Sequence, residues 1–187
     1  MKVRILFLIC FLCITCLLNA ADKPVIQIHT DNSSLIFHVA DNGRLYQSYL
    51  GKKLNHETDI SHLPQGTEAY ITHGMEDYFE PAIHILHNDG NPSLLLKYVS
   101  HETKAVSQGV NETIITLGDD KYPVTVKLHY VTYPAEDIIK TYTEISHKEK
   151  KPVVLHQYAS SMLHLNRAKY YLTEFSGDWA HEANVTE

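Results

Sequence analysis

The densest group of acidic and aromatic side chains in the sequence is the stretch GMEDYFEP, at residues 74–81. Aromatic faces beside carboxylates suit a sugar, because its C–H face stacks on a ring while its hydroxyl groups donate hydrogen bonds to the acids. Within this stretch, Asp77 and Tyr78 are the candidate substrate-binding residues. The alternative interpretation is structural: the stretch leads into a strand, and Tyr78 or Phe79 fills the core.

The chain has thirteen histidines, which raises the question of a metal site, and the best local group of candidate ligands is His84, His87 and Asp89. On a strand, side chains three positions apart point to opposite faces, so the two imidazoles meet only if the segment bends. We therefore predict no metal and no other cofactor. Ordinary hydrogen bonds or exposure to solvent are expected for the histidines at strand positions: His29, His38, His129, His156 and His164.

Motifs for a catalytic nucleophile or a bound phosphate are missing from the sequence, which has no G-x-S-x-G, P-loop, G-x-G-x-x-G or H-E-x-x-H. All three cysteines lie within residues 1–20. Sugar hydrolysis needs only two positioned carboxylates, and the 22 acids of the chain provide many pairs, so their number is no evidence for catalysis. The residues alone therefore identify no catalytic group.

The elements that must position these residues are short and β-rich. Turn signals separate them, such as ADNG at residues 40–43 and GDDKYP at 118–123. Many short strands with even punctuation predict an antiparallel sandwich or barrel. The strand candidates are VIQIHT, LIFHVA, RLYQSYL, SLLLKYVSH, ETIITL, VTVKLHYVTY, IIKTYTEI, VVLHQYASSMLHL and KYYLTEF.

Two of these patterns make specific predictions. In VTVKLHYV, residues 124–131, every second residue from Val124 to Tyr130 is apolar, which places one face in a core and the other, with His129, toward water. Asn42 and Gly43 tolerate positive φ and lie between two strand candidates, which predicts a hairpin with a type I′ turn. Residues 50–81 are long, polar and mixed, and we expect either a functional loop or a solvent-exposed excursion there.

Residues 1–20, MKVRILFLICFLCITCLLNA, begin with Lys2 and Arg4, continue with an apolar run and end at Ala20. This pattern predicts a secretory signal peptide cleaved after Ala20, and therefore an exported protein with no membrane span after cleavage. A membrane anchor is an alternative, although the run is short for a span of about 20 residues. A lipoprotein leader is a further alternative, although no small residue directly precedes a cysteine.

The charge distribution argues against nucleic acid as a partner. The formal net charge is -6, from 22 acids against 16 bases, and the lysines are dispersed rather than gathered into a stripe. An apolar fraction of 44 % over 187 residues is enough for one domain with a core.

Three phrases, read in order, resemble one protein family. They are DYFEPAIHILHNDGNPSLLLKYVSHE, YPVTVKLHYVTYPAEDIIKTYTEISHKEKKPVVLHQYASSMLHL and YYLTEFSGDWAHE. Together they closely resemble the N-terminal domain of glycoside hydrolase family 36, the bacterial type of α-galactosidase. The resemblance implies an antiparallel β-supersandwich of the galactose mutarotase type, which in the family precedes a catalytic (β/α)8 barrel. Residues 21–187 would form that supersandwich, incomplete and without the barrel.

The resemblance also implies a limit on catalysis. Family members use a barrel aspartate as nucleophile, in a K-x-D-x-N-type motif, and a second barrel aspartate as acid/base, and this sequence contains neither motif. The chain alone should therefore be inactive. In the family the N-terminal domain packs on its own barrel and joins subunit interfaces, and in some members one loop reaches a neighbouring sugar site. Residues 50–81 are where such a loop would lie, and a homo-oligomer is the implied assembly.

The leading hypothesis is the non-catalytic N-terminal part of an exported, retaining α-galactosidase that hydrolyses α-galactosides of the raffinose or melibiose type. One alternative is a stand-alone carbohydrate-binding or structural β-sandwich, and another is the sandwich of a different exported glycosidase family. Under the leading hypothesis Trp179 is an interior residue of a larger domain, and the isolated chain should be poorly soluble because strand edges remain unpaired.

Overall fold

The computed structural model describes residues 23–74, 79–165, 174–178 and 181–186. The predicted leader, Asp77, Tyr78 and Trp179 lie outside these residues. The described elements, in chain order, are β1 Val25–His29, β2 Ser33–Val39, β3 Leu45–Lys52, α1 Glu57–Ser61, β4 Thr67–Glu68, β5 Ile83–Leu86, β6 Leu96–Ser107, β7 Val110–Asp119, β8 Val124–Tyr133, β9 Ile138–His147, β10 Val154–Tyr158, β11 Glu174–Asp178 and β12 His181–Thr186.

The strands form antiparallel sheets, which confirms the predicted all-β sandwich. The first sheet has the order β1-β2-β3-β4 and the second sheet the order β6-β7-β8-β9. Two smaller ladders pair β10 with β5 and β11 with β12. Each strand of the two larger sheets pairs with the strand that precedes or follows it in the chain. Short turns make most of these connections, whereas α1 lies between β3 and β4.

One hydrophobic core lies between the inner faces of the two larger sheets. Phe37 of β2 and Tyr130 of β8 meet there with ring centroids 5.2 Å apart. The alternation predicted for β8 is confirmed on this side, since Val124, Val126 and Leu128 are also buried. Burying each such side chain contributes about 1.5–3 kcal/mol, so this interior holds the two sheets together.

The hairpin predicted between β2 and β3 is present, but its turn differs from the expected type I′. The amide of Gly43 donates to the carbonyl of Ala40 at 2.9 Å, and Gly43 has φ 79°. In the described part of the chain, Asp137 is the only non-glycine residue with positive φ, so Asn42 does not adopt that conformation. The loop is therefore a type I turn followed by a left-handed glycine, which suits a three-residue connection.

A β-bulge interrupts the pairing of β2 with β3. Ile36 pairs with Tyr49 and Phe37 pairs with Gln47, so Ser48 is the extra residue. Gln47 points into the interior, where its Nε2 donates to the carbonyl of His164 at 2.7 Å. The bulge therefore changes the alternation of β3 at Ser48.

The described part of residues 50–81 contains the end of β3 and two further short elements rather than one continuous loop. The helix α1 has five residues and packs Ile60 onto the first sheet, where Ile60 is buried. Strand β4 adds two residues to the edge of that sheet. Elements this short carry no periodicity, which is why the sequence did not predict them. No helix among the described residues has the length and apolar character needed to cross a membrane.

Candidate functional site

The acidic and aromatic stretch that carried the sugar-binding prediction is described only in part. Asp77 and Tyr78 fall outside the described residues, so their assignment as substrate-binding residues stays a prediction. Phe79 is 66 % exposed, so the alternative in which Phe79 fills the core is wrong. Glu80 accepts a hydrogen bond from Nε2 of Gln157 at 2.9 Å.

Phe79 lies at a cleft of about 240 Å³, which we call the Phe79 cleft. Strand β3 supplies one wall, the edge strand β4 supplies the second, and the segment before β5 supplies Phe79 itself. The described lining residues are Arg44, Tyr46, Gly66, Thr67, Glu68, Ile71 and Phe79.

An ion pair between Arg44 and Glu68 forms the polar floor of the Phe79 cleft. Nε of Arg44 donates to Oε1 of Glu68 at 2.8 Å, and Nη2 of Arg44 contacts Oε2. The side chains are 15 % and 7 % exposed. A two-point contact of this kind fixes the guanidinium plane and neutralises the carboxylate.

Close approach of the backbone shapes the cleft wall. Gly66 has φ 78°, and a Cβ atom built there would lie 1.9 Å from the carbonyl oxygen of Gln47. Only glycine fits this position without displacing β3. On the opposite wall, Oη of Tyr46 accepts from Nδ2 of Asn42 at 2.9 Å, which fixes the phenol ring.

The described part of the Phe79 cleft offers binding groups. Glu68 is the only acid among the described lining residues, and Arg44 already neutralises it. The exposed ring of Phe79 beside the hydroxyl group of Tyr46 offers a surface for a hydroxylated ligand or for another protein domain.

His84 and His87, the histidines considered as metal ligands in the sequence, do not come together. His84 stacks between His73 and His156, with ring centroids 3.7 and 4.8 Å away. His87 is instead buried against Tyr122 at 3.6 Å. No group of three histidine, cysteine or acidic side chains in the described ranges could hold a metal ion.

His87 belongs to a buried ion pair that joins two loops. Its Nδ1 lies 2.7 Å from Oε1 of Glu149, and the two side chains are 0 % and 1 % exposed. Glu149 also accepts from the backbone amide of Asn88 at 3.0 Å. Burial opposes ionisation of Glu149, but the hydrogen bonds from Asn88 and His87 outweigh it, so the pKa of Glu149 is lowered.

A row of polar side chains crosses the outer face of the second sheet, and we call it the outer row: Lys104, Glu112, His129 and Tyr142. Oη of Tyr142 donates to Oε1 of Glu112 at 2.6 Å, and Nδ1 of His129 lies 2.9 Å from the same oxygen. Nζ of Lys104 lies 3.0 Å from Oε2 of Glu112. The row therefore ties all four strands of the sheet through one carboxylate.

These contacts shift the pKa values of Glu112 and Tyr142 in the outer row. The hydrogen bonds from Tyr142, His129 and Lys104 lower the pKa of Glu112 to about 2, and the same carboxylate raises the pKa of Tyr142. Glu112 therefore stays ionised near neutral pH and cannot serve as a general acid. His129 is 6 % exposed, so the prediction that its face of β8 meets water is wrong at this position, because the Tyr142 ring stacks on it at 4.2 Å.

The open antiparallel sandwich, with its buried acids engaged in ion pairs, defines an all-β domain suited to packing and binding. The chain belongs to the glycosyl hydrolase family 36 N-terminal domain family, whose model matches residues 43–187. No curated protein sequence matches the chain significantly.

Several solved structures share this fold. The α-galactosidase from Lactobacillus brevis is 20 % identical with a TM-score of 0.74, over 88 % of this chain and 27 % of that one. A doubly substituted α-galactosidase AgaA from Geobacillus stearothermophilus, in complex with raffinose, is 18 % identical with a TM-score of 0.77, over 87 % and 27 %. Another AgaA structure, in complex with stachyose, is 17 % identical with a TM-score of 0.76, over 87 % and 27 %. The chain thus spans about a quarter of these proteins.

Proposed function

We propose that this chain is the non-catalytic N-terminal domain of an exported, retaining α-galactosidase that removes terminal α-linked galactose from oligosaccharides of the raffinose or melibiose type. The observation that carries the proposal is the family match over residues 43–187. The complexes of the similar AgaA structures with raffinose and stachyose support the substrate class. The apolar leader after Lys2 and Arg4 supports export.

In this proposal the domain binds and packs, and the catalytic aspartates lie in a barrel domain of the same protein. The Phe79 cleft supports such a role, because its exposed ring lies at a concave surface that another domain could cover. The covering partner is the barrel or a neighbouring subunit of a homo-oligomer. The ionised state of Glu112 and the pairing of Glu68 support a non-catalytic role for these two acids.

The test measures α-galactosidase activity in the exported fraction of cells that produce the whole native protein. Release of galactose from raffinose and melibiose is expected, with α-galactose as the first anomer seen by NMR. Deleting the region that encodes this chain should abolish the release of galactose, and the chain alone should give background rates. Activity that survives the deletion, turnover by the chain alone, or activity confined to the cytosol would each contradict part of the proposal.

A matched pair of variants tests the role of the cleft. Phe79→Ala in the whole protein should lower activity or assembly about fivefold, the effect of truncating an interface side chain that contributes about 1 kcal/mol. Val106→Ala is the control, because Val106 is 57 % exposed on β6 and lies outside the Phe79 cleft. Equal behaviour of the two variants would remove the cleft from the proposal.

A further inference from the structure

The outer face of the first sheet carries a second concave site, which we call the outer groove. Its volume is about 280 Å³, the space of roughly nine water molecules at ~30 Å³ each. The helix α1 covers the sheet only in part, and the groove runs beside it. Ile36 of β2, Ile60 of α1 and Leu63 give the groove an aliphatic floor.

The bulge in β3 brings a serine hydroxyl into this groove. Ser48 is 4 % exposed, and its Oγ contacts Nδ1 of His38 and lies 3.5 Å from the carbonyl oxygen of Gln65. That carbonyl can only accept, so Ser48 donates to it, and Nδ1 of His38 then donates to Ser48. This arrangement leaves Nε2 of His38 as an acceptor, and Nε2 makes no hydrogen bond within the described part of the chain.

The groove carries little net charge. Lys23 is the one cation among the described lining residues, and it is paired at the surface with Asp41 at 2.6 Å. Burial lowers the pKa of His38, which favours the neutral imidazole. Among the described lining residues a ligand anion would meet only this paired lysine, and a ligand cation would meet no carboxylate. Paired donors and acceptors above an aliphatic floor suit a neutral ring that carries several hydroxyl groups.

We propose that the outer groove binds a neutral polyhydroxylated compound of single-ring size, such as a monosaccharide or a cyclitol. One ring hydroxyl donates to Nε2 of His38, a second contacts Oγ of Ser61 at the rim, and the C–H face lies on Ile36 and Leu63. The inference does not depend on the proposed function, because it concerns residues separate from the Phe79 cleft and requires no catalysis.

The experiment titrates the whole chain with D-galactose, with myo-inositol and with sodium acetate, and follows amide shifts by ¹H–¹⁵N NMR. Saturable shifts around residues 36–38 and 60–63 are expected with the two neutral probes, with a Kd of about 1–10 mM. Ser48→Ala removes the hydroxyl that orients the His38 ring and should weaken binding about 2- to 10-fold through the loss of that one hydrogen bond. Acetate should give no saturable shifts.

Blocking the groove provides the decisive control. Ser61→Phe places a ring over the groove from an exposed position and should weaken binding more than about tenfold. Asp59→Phe adds the same bulk on the opposite side of α1, outside the groove, and should bind like the unmodified chain. Absence of saturation with both neutral probes, equal binding by the Ser61→Phe variant, or equal saturation by acetate would each overturn the proposal. Activity of the whole enzyme is not a readout, so this result stands apart from the test of the proposed function.

Discussion

Replacing Glu112 by glutamine should lower the stability of the domain in a way that depends strongly on pH. Contacts in the outer row lower the pKa of Glu112 from 4.5 to about 2, and its side chain is 9 % exposed. A tenfold change in proton affinity corresponds to about 1.4 kcal/mol, so the carboxylate contributes about 3 kcal/mol at pH 7. Because the folded pKa is depressed, this contribution is complete above pH 4.5 and is lost as the pH falls toward 2.

Glutamine mimics the protonated acid, so the difference in unfolding free energy between the unmodified chain and the Glu112→Gln variant should follow that curve. We expect about 3 kcal/mol at pH 7 and about 1 kcal/mol at pH 3. Urea unfolding followed by tyrosine fluorescence at both values measures the difference. Lys104 and His129 contact the carboxylate, Glu144 lies 3.7 Å from Nε2 of His129, and all three residues are present in both proteins.

The control for this prediction is Glu144→Gln. Glu144 lies on the same face of the sheet, is 53 % exposed and pairs with Lys127 at 3.4 Å. An exposed pair contributes at most about 1 kcal/mol, so this variant should change stability little at either pH. A Glu112→Gln difference that stays constant between pH 7 and pH 3, or that matches the Glu144→Gln value, would refute the reasoning.

Three further predictions concern single side chains, and urea unfolding at pH 7 measures the change in unfolding free energy for each. Gly66→Ala should lower the unfolding free energy by at least about 2 kcal/mol, because the added carbon meets a backbone carbonyl 1.9 Å away. Gly90→Ala has the same sign of φ but open space around it, so its unfolding free energy should fall by only about 1 kcal/mol. Phe37→Ala should lose about 3–5 kcal/mol and Phe79→Ala less than about 0.5 kcal/mol, because Phe37 is 0 % and Phe79 66 % exposed. Glu149→Gln should lose about 3 kcal/mol, because the buried imidazole loses its charged partner, and a loss below 1 kcal/mol would contradict the ion pair.

The sequence predicted the parts of the fold that depend on local patterns. The alternation of β8 placed every second residue from Val124 to Tyr130 on the core side, and the Asn42-Gly43 pair located the β2–β3 hairpin. Strand β5, Ile83–Leu86, was not among the strand candidates and entered only as an alternative after the acidic and aromatic stretch, because it has only four residues. The turn type was wrong because a three-residue connection places positive φ at Gly43 alone.

The sites depended on information that the linear sequence does not contain. The outer row joins residues 104, 112, 129 and 142, which meet only when the register of four strands is fixed. The Phe79 cleft likewise needs the pairing of Tyr46 with Glu68 across an edge strand of two residues. One signal was within reach, since Phe79 belonged to the acidic and aromatic stretch that the sequence singled out.

The bulge at Ser48 has a consequence for insertions and deletions in β3. Gln47 and Tyr49 pair with the adjacent residues Phe37 and Ile36, so removing Ser48 would leave a regular ladder in which every remaining side chain keeps its face. Removing a residue elsewhere in β3 would instead move the side chains on one side of the deletion to the opposite face of the sheet. Ser48 is therefore dispensable to the architecture of β3, and a shortened gene lacking only this codon should yield a folded sheet with an altered outer groove.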